Sequence, residues 1–252
     1  MALLSQLLIK KELGIPYGTI LFLLNCLIVS IPLIFLPLHS LFAPNPSKGK
    51  ILQFLICQFA HGTLYYPTWF HLALNLIGIV FLGLLVERSI GTHRLVLLIG
   101  TSWLSVTLYC LIVNIFGLGS SGIMFSYWPF VGCILYWDWT QRHSRVFRDP
   151  LYLVTLTLVI FGLIISILYW GPFHFTNMAH YTGILTGTIL LFIWRKPFFS
   201  NLDEFVNSEN EDIKVGLSAR DLLFKKIAIF AFSIWLVCNM LIVSGLLLYS
   251  IS

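Results

Sequence analysis

The sequence predicts an all-α polytopic membrane protein with seven spans, its N-terminus inside and its C-terminus outside. Of the 252 residues, 58% are hydrophobic and 10% are charged, against roughly 25% charged in an ordinary soluble domain. The mean hydropathy is +0.92. The charges are clustered, leaving charge-free runs over 13–47, 51–86, 95–137, 150–194 and 227–252. When those runs are threaded back and forth, 13 Lys and Arg fall on one side and two, Lys48 and Lys50, on the other. That is the bias that orients membrane proteins, positive side inward. The composition excludes a cytosolic enzyme, a disordered tail and a disulfide-stapled secreted module. It also gives the net charge of +5 an orienting role instead of a nucleic-acid partner.

Each element follows from the need for about 20 apolar helical residues per crossing. Residues 1–16 read as a cytosolic N-terminal segment. The first span lies near 18–38; it is longer than a signal-peptide core and no small-residue cleavage site follows it, so it is expected to be retained. Ile51 to Ala60 is only ten residues long before His61-Gly62 and Pro67, too short to cross, and reads as interfacial or re-entrant. Residues 68–86 form the second span. The run 95–137 folds in two around the Gly- and Ser-rich stretch Asn114 to Gly122, giving spans three and four, and Pro129 should kink or shorten the fourth. The run 150–194 breaks near Trp170-Gly171-Pro172-Phe173-His174 into spans five and six. The six-helix membrane core is therefore 17–197. Residues 198–226, with Asp203, Glu204, Glu209, Glu211 and Asp212, read as a cytosolic polar linker, and 227–252 carry the seventh span. Tyr136, Trp137, Trp139 and Trp194 fall at inner boundaries, where amphipathic rings favour the headgroup layer. Five cysteines in apolar stretches, without C-x-x-C spacing, read as small core residues.

Polar residues on spans are costly and mark function by default. His71 and Asn75, four apart near the outer start of span two, share one helix face and both donate hydrogen bonds; alone, the pair reads first as interhelical polar packing. Gly119-Ser120-Ser121-Gly122 opens span four. Alone it is a tight turn with small packing residues or a helix cap; functionally it offers a serine nucleophile beside free backbone N–H groups. His180 lies in the outer half of span six, with Gly183 and Gly187 following on its face, and packing explains the glycines but not the imidazole. All three sites share one depth, which gathers a nucleophile, a general base and oxyanion donors. All ten Asp and Glu fall on the inner side of this topology, so any catalysis would run on a Ser121–His180 dyad without a triad carboxylate. No H-E-x-x-H motif, no aspartate pair within spans and no intramembrane charge pair is present. These absences weigh against a zinc protease, an aspartyl protease and a proton-coupled transporter.

These residues resemble the rhomboid intramembrane serine proteases over roughly 15–197. The matching motifs are His71 and Asn75 (His-x-x-x-Asn), Glu87 and Gly91 (Glu-x-x-x-Gly), Gly119 to Gly122 (Gly-x-Ser-Gly), and Ala179, His180, Gly183 and Gly187 (Ala-His-x-x-Gly-x-x-x-Gly). The resemblance implies that Ser121 attacks the scissile carbonyl with His180 as general base and then acid. His71, Asn75 and the Ser121 N–H would form the oxyanion hole. Gly119, Gly122, Gly183 and Gly187 would support close helix packing. It implies single-span membrane proteins as substrates, cut near the outer face, with no metal, nucleotide or other cofactor. The short N-terminal segment suggests a bacterial inner membrane.

The sequence departs from the family pattern in four places. Leu52 and Gln53 stand where a Trp-Arg pair is common, and the spacing from His61 to His71 is about five residues longer. Phe125 replaces a frequent Tyr four residues after the nucleophile, and Pro129 lies within span four. Two other readings belong to the same family: a catalytically silent rhomboid-like protein that binds or escorts membrane clients, and a specialised rhomboid that processes C-terminal sorting tails of surface proteins. Silent members have lost the serine or the histidine, and both are present here.

Overall fold

The computed structural model describes residues 7, 15–35, 51–61, 68–113, 119–142, 147, 149–171 and 173–207. Every regular element among them is helical. In chain order these are α1 (Tyr17–Phe35), α2 (Ile51–Ile56) running into a 3₁₀ turn (Cys57–Phe59), α3 (Thr68–Ile90), α4 (Thr92–Val113) and α5 (Ser121–Met124). A second 3₁₀ turn (Phe125–Tyr127) then leads into α6 (Trp128–Arg142), followed by α7 (Pro150–Trp170) and α8 (Phe175–Asn207). The helices begin and end at the punctuation in the sequence. Gly91, at φ +83°, closes α3 by donating its N–H to the Glu87 carbonyl at 2.7 Å while its own carbonyl accepts from Leu95 at 3.1 Å. One residue in the left-handed region, where glycine is at ease, thus joins α3 to α4. Asp149 caps α7 through its Oδ1 and the Leu151 N–H (3.0 Å), with Pro150 in the first turn, where its missing N–H costs nothing. Gly171, at φ +80°, ends that helix.

Of the seven expected spans, two are long and apolar enough to cross a membrane among the described residues: His71–Ile90 and Thr92–Val113. Tyr17–Ile31 and Pro150–Gly162 offer shorter apolar stretches. The fourth expected span is divided, because Pro129 supplies no N–H to residue 125 and the chain tightens into a 3₁₀ turn there before α6 begins. Helix α8 continues ten residues past 197, through Pro197, to Asn207. Phe198 and Leu202 are fully buried in the main core, Phe198 packs edge-on to Phe130 at 5.7 Å, and the Asn201 amide donates to the Ser89 carbonyl at 2.8 Å. Those contacts carry the helix beyond the polar boundary read from the charges. The expected seventh span at 227–250 lies outside the described residues.

The core is apolar, and so is much of the surface. Ile77, Leu97, Leu104, Ile112, Leu168 and Phe192 are exposed, whereas Asn25, Ser30, Gln58, His61, Asn75 and Glu87 are buried. A surface of that kind suits hydrocarbon. At one end of the bundle Glu87, at the foot of α3, accepts from Gly18 N (2.9 Å), Thr19 N (2.8 Å), Thr19 Oγ1 (2.8 Å) and Thr92 Oγ1 (2.7 Å). The carboxylate therefore holds the first-turn amides of α1, which have no intrahelical partner, and clamps α1, α3 and α4 together. Midway, Phe22, Phe59 and Tyr127 meet edge to face. Halfway along α4, Trp103 Nε1 donates to the Leu55 carbonyl at 2.8 Å, fastening α2 against α4. Cys26, Cys57 and Cys110 are buried thiols outside any disulfide.

Candidate active site

Three helix starts converge where the polar residues gather: those of α3, α5 and α8. The nucleophile loop comes first. Gly119 sits at φ +119°, in the region glycine tolerates, and donates its N–H to the Cys57 carbonyl at 3.2 Å. A side chain at this position would also collide with the imidazole of His71, since a Cβ would lie 2.8 Å from His71 Cε1. Gly119 thus turns the chain so that Ser121 opens α5, with the Ser120 carbonyl accepting from Met124 N at 2.9 Å. The Ser121 N–H belongs to the first turn, where amides lack helical acceptors.

Helix α8 brings His180 to that serine. A Cβ on Gly183 would lie 1.9 Å from the Gly122 carbonyl oxygen, and one on Gly187 would lie 2.1 Å from the Ser126 carbonyl oxygen. Only bare backbone allows this approach. One helical turn above Gly183, His180 Nε2 lies 2.8 Å from Ser121 Oγ, a full-strength hydrogen-bond distance. The imidazole lies flat on the Phe125 ring, centroids 4.1 Å apart and planes 3° from parallel, and Phe125 in turn stacks on Trp128 at 4.1 Å. Stacking fixes the plane of the imidazole, and the hydrogen bond fixes its rotation within that plane. Gly122 faces α4, where a Cβ would lie 3.1 Å from Val106.

Helix α3 contributes His71 and Asn75. The Asn75 amide nitrogen donates to the His71 backbone carbonyl at 2.9 Å, and its Oδ1 accepts from Ser120 Oγ at 3.4 Å. The His71 ring stands 5.2 Å from that of His61. The structure therefore brings together Ser121, His180, His71 and Asn75 with the glycines that admit them. Their arrangement supplies a hydroxyl against a basic nitrogen, flanked by amide, imidazole and backbone donors, which is the equipment of acyl transfer. Among the described residues no group of three or more His, Cys, Asp or Glu is placed to hold a metal ion.

Two participants were not singled out by sequence reasoning. His61 is fully buried, with Nδ1 2.9 Å from Ser30 Oγ and 3.1 Å from the Phe59 carbonyl. Its Nε2 accepts from Ser120 N at 3.2 Å and lies 3.1 Å from Ser120 Oγ. Ser120 is the second. A histidine ending a short apolar segment, and a second serine beside the nucleophile, were the signals available. Their meaning depended on a fold that joins segments 59 residues apart.

A family model described as the Rhomboid domain matches residues 48–197, more than half of the chain, starting after α1. No curated protein and no solved structure matches.

Proposed function

The chain belongs to the rhomboid family, and on that premise we propose that it is an intramembrane serine endopeptidase working through Ser121 and His180. Proteins with this domain are intramembrane proteases or related pseudoproteases, and their setting is that of an integral membrane protein. The observation that carries the enzymatic reading is the 2.8 Å contact from Ser121 Oγ to His180 Nε2, with the close approach of α8 at Gly183 and Gly187 behind it.

In this reading Ser121 Oγ attacks the scissile carbonyl carbon as its proton passes to His180 Nε2. The carbonyl oxygen takes the negative charge, and the Ser121 N–H, the Asn75 amide and His71 stabilise it. Collapse of the tetrahedral intermediate breaks the C–N bond, and His180 returns the proton to the departing amine. Water, deprotonated by the same imidazole, then releases the acyl group from Ser121. Substrates are single-span membrane proteins cut near the outer face, with the enzyme's N-terminus in the cytosol and seven spans in all.

The test is cleavage of a single-span substrate in liposomes by wild type, Ser121→Ala and His180→Ala. Cleavage by wild type alone is expected, with both variants folded and inactive. If the wild type neither cleaves nor reacts at Ser121 with a serine-directed phosphonate probe, the enzymatic reading is wrong and a client-binding role replaces it.

A further inference from the structure

Resting on the protease reading, we propose that Ser120 is a positioning residue: its hydroxyl locks the Asn75 amide in the orientation that offers an N–H to the oxyanion, with His61 holding Ser120 in place. The hydrogen-bond chemistry at each end favours one arrangement.

At His61, Nε2 faces the Ser120 backbone N–H (3.2 Å), a group that can only donate. That ring nitrogen must therefore present its lone pair. Nδ1 then carries the proton, and it faces the Phe59 carbonyl (3.1 Å), which can only accept, and Ser30 Oγ (2.9 Å). Ser30 Oγ already gives its own proton to the Phe59 carbonyl at 2.8 Å, so it is free to accept from the imidazole. Both ends of the ring demand the same neutral tautomer, and a doubly protonated ring would set N–H against N–H at Ser120.

At Asn75 the same logic applies. The His71 backbone carbonyl, 2.9 Å away, can only accept, so the amide nitrogen faces it and Oδ1 faces Ser120. The Ser120 hydroxyl has one proton and three groups in reach: the Cys26 thiol, which can itself donate to the Ser120 oxygen, His61 Nε2 at 3.1 Å, whose lone pair the Ser120 N–H already engages, and Asn75 Oδ1 at 3.4 Å. Donation to Oδ1 is the arrangement that serves every group. The Asn75 amide is then held at its oxygen by Ser120 and at one N–H by its own helix, leaving the second N–H for the developing oxyanion. Without the hydroxyl, Oδ1 loses its donor and the amide rotates more freely about its last torsion. An oxyanion donor that is correctly aimed only part of the time stabilises the transition state less, with no effect on how the substrate docks.

The experiment is a double-mutant cycle on cleavage of a single-span substrate in liposomes, with Ser120→Ala, Asn75→Ala and the pair. Melting temperatures are followed alongside, and Ser120→Thr serves as the variant that restores the hydroxyl. Ser120→Ala should lower kcat about tenfold, the scale of one lost hydrogen bond. KM and melting temperature should change little, and Ser120→Thr should recover much of the rate. In the Asn75→Ala background, Ser120→Ala should have no further effect, because the group it positions is gone. If the two losses multiply, or if Ser120→Ala acts on KM or the melting temperature alone, the positioning role is overturned while the protease reading stands. If the wild type neither cleaves nor reacts at Ser121 with the phosphonate probe, the protease reading falls and this inference falls with it.

Discussion

Replacing Gly183 with alanine adds one methyl group to α8, and the structure says where it must go. The new Cβ would lie 1.9 Å from the Gly122 carbonyl oxygen, against about 3.4 Å for an ordinary contact, a shortfall of about 1.5 Å. The obstacle is backbone at the start of α5, so no flexible side chain can swing aside. Half of that displacement already carries the Ser121–His180 contact from 2.8 Å to about 3.5 Å, the edge of hydrogen bonding. A misplacement near 1 Å costs on the order of 100-fold in rate. Gly183→Ala should therefore cut cleavage at least that far with both Ser121 and His180 present. Labelling of Ser121 by a phosphonate probe should slow in parallel, because labelling needs the same activated hydroxyl. Overpacking should also cost about 1–3 kcal/mol of stability, although the same change in an open helix is neutral or helpful. Gly132 is the control: it lies in α6 with nothing within 4 Å of a Cβ, and Gly132→Ala should leave activity unchanged. Wild-type cleavage by Gly183→Ala, measured against that control, would refute the claim that close backbone approach at this glycine builds the site.

Two further changes probe the supports on either side. Phe125→Leu removes the ring stacked on His180 at 4.1 Å; stacked aromatic pairs contribute about 0.5–1.5 kcal/mol beyond area burial, so kcat should fall about two- to tenfold, and an unchanged kcat would show that the imidazole is held by other contacts. Glu87→Ala leaves two buried amides and two hydroxyls without the acceptor they now share; at about 1–3 kcal/mol for each unsatisfied buried group, the protein should lose several degrees of melting temperature or fail to fold, and Glu87→Gln, which keeps one acceptor oxygen and sets an NH2 against donors in place of the other, should fall between.

What could be read in the sequence differs between fold and site for physical reasons. Helix limits set by backbone chemistry were legible. Gly171 ends α7 because its positive φ acts on the chain locally. Pro129 acts equally locally, interrupting the helix just before itself. The end of α8 was not legible: the charges after 197 suggest a stop, but Phe198, Leu202 and Asn201 have tertiary partners on α6, on the main core and at the end of α3. Tertiary contacts routinely override a local breaking signal, and no local pattern reports them.

The site divides along the same line. Ser121, His180, His71 and Asn75 stand out because a polar side chain on an apolar span must find a partner or a function, and the glycines after His180 show which face meets another backbone. His61 and Ser120 carry no such mark. His61 belongs to a segment too short to be a span, where polarity is unremarkable, and Ser120 stands beside the more conspicuous Ser121. Only the fold reveals that the short segment folds back to place His61 against Ser120 and the helix start. Once there, its environment allows one tautomer, and that tautomer favours the orientation in which Ser120 donates to Asn75. In a bilayer no bulk water stands ready to replace a missing partner. An arrangement in which each group on the line from His61 to Asn75 has a partner is consequently stiff, and a hydroxyl on the margin of the site can govern the aim of an amide at its centre.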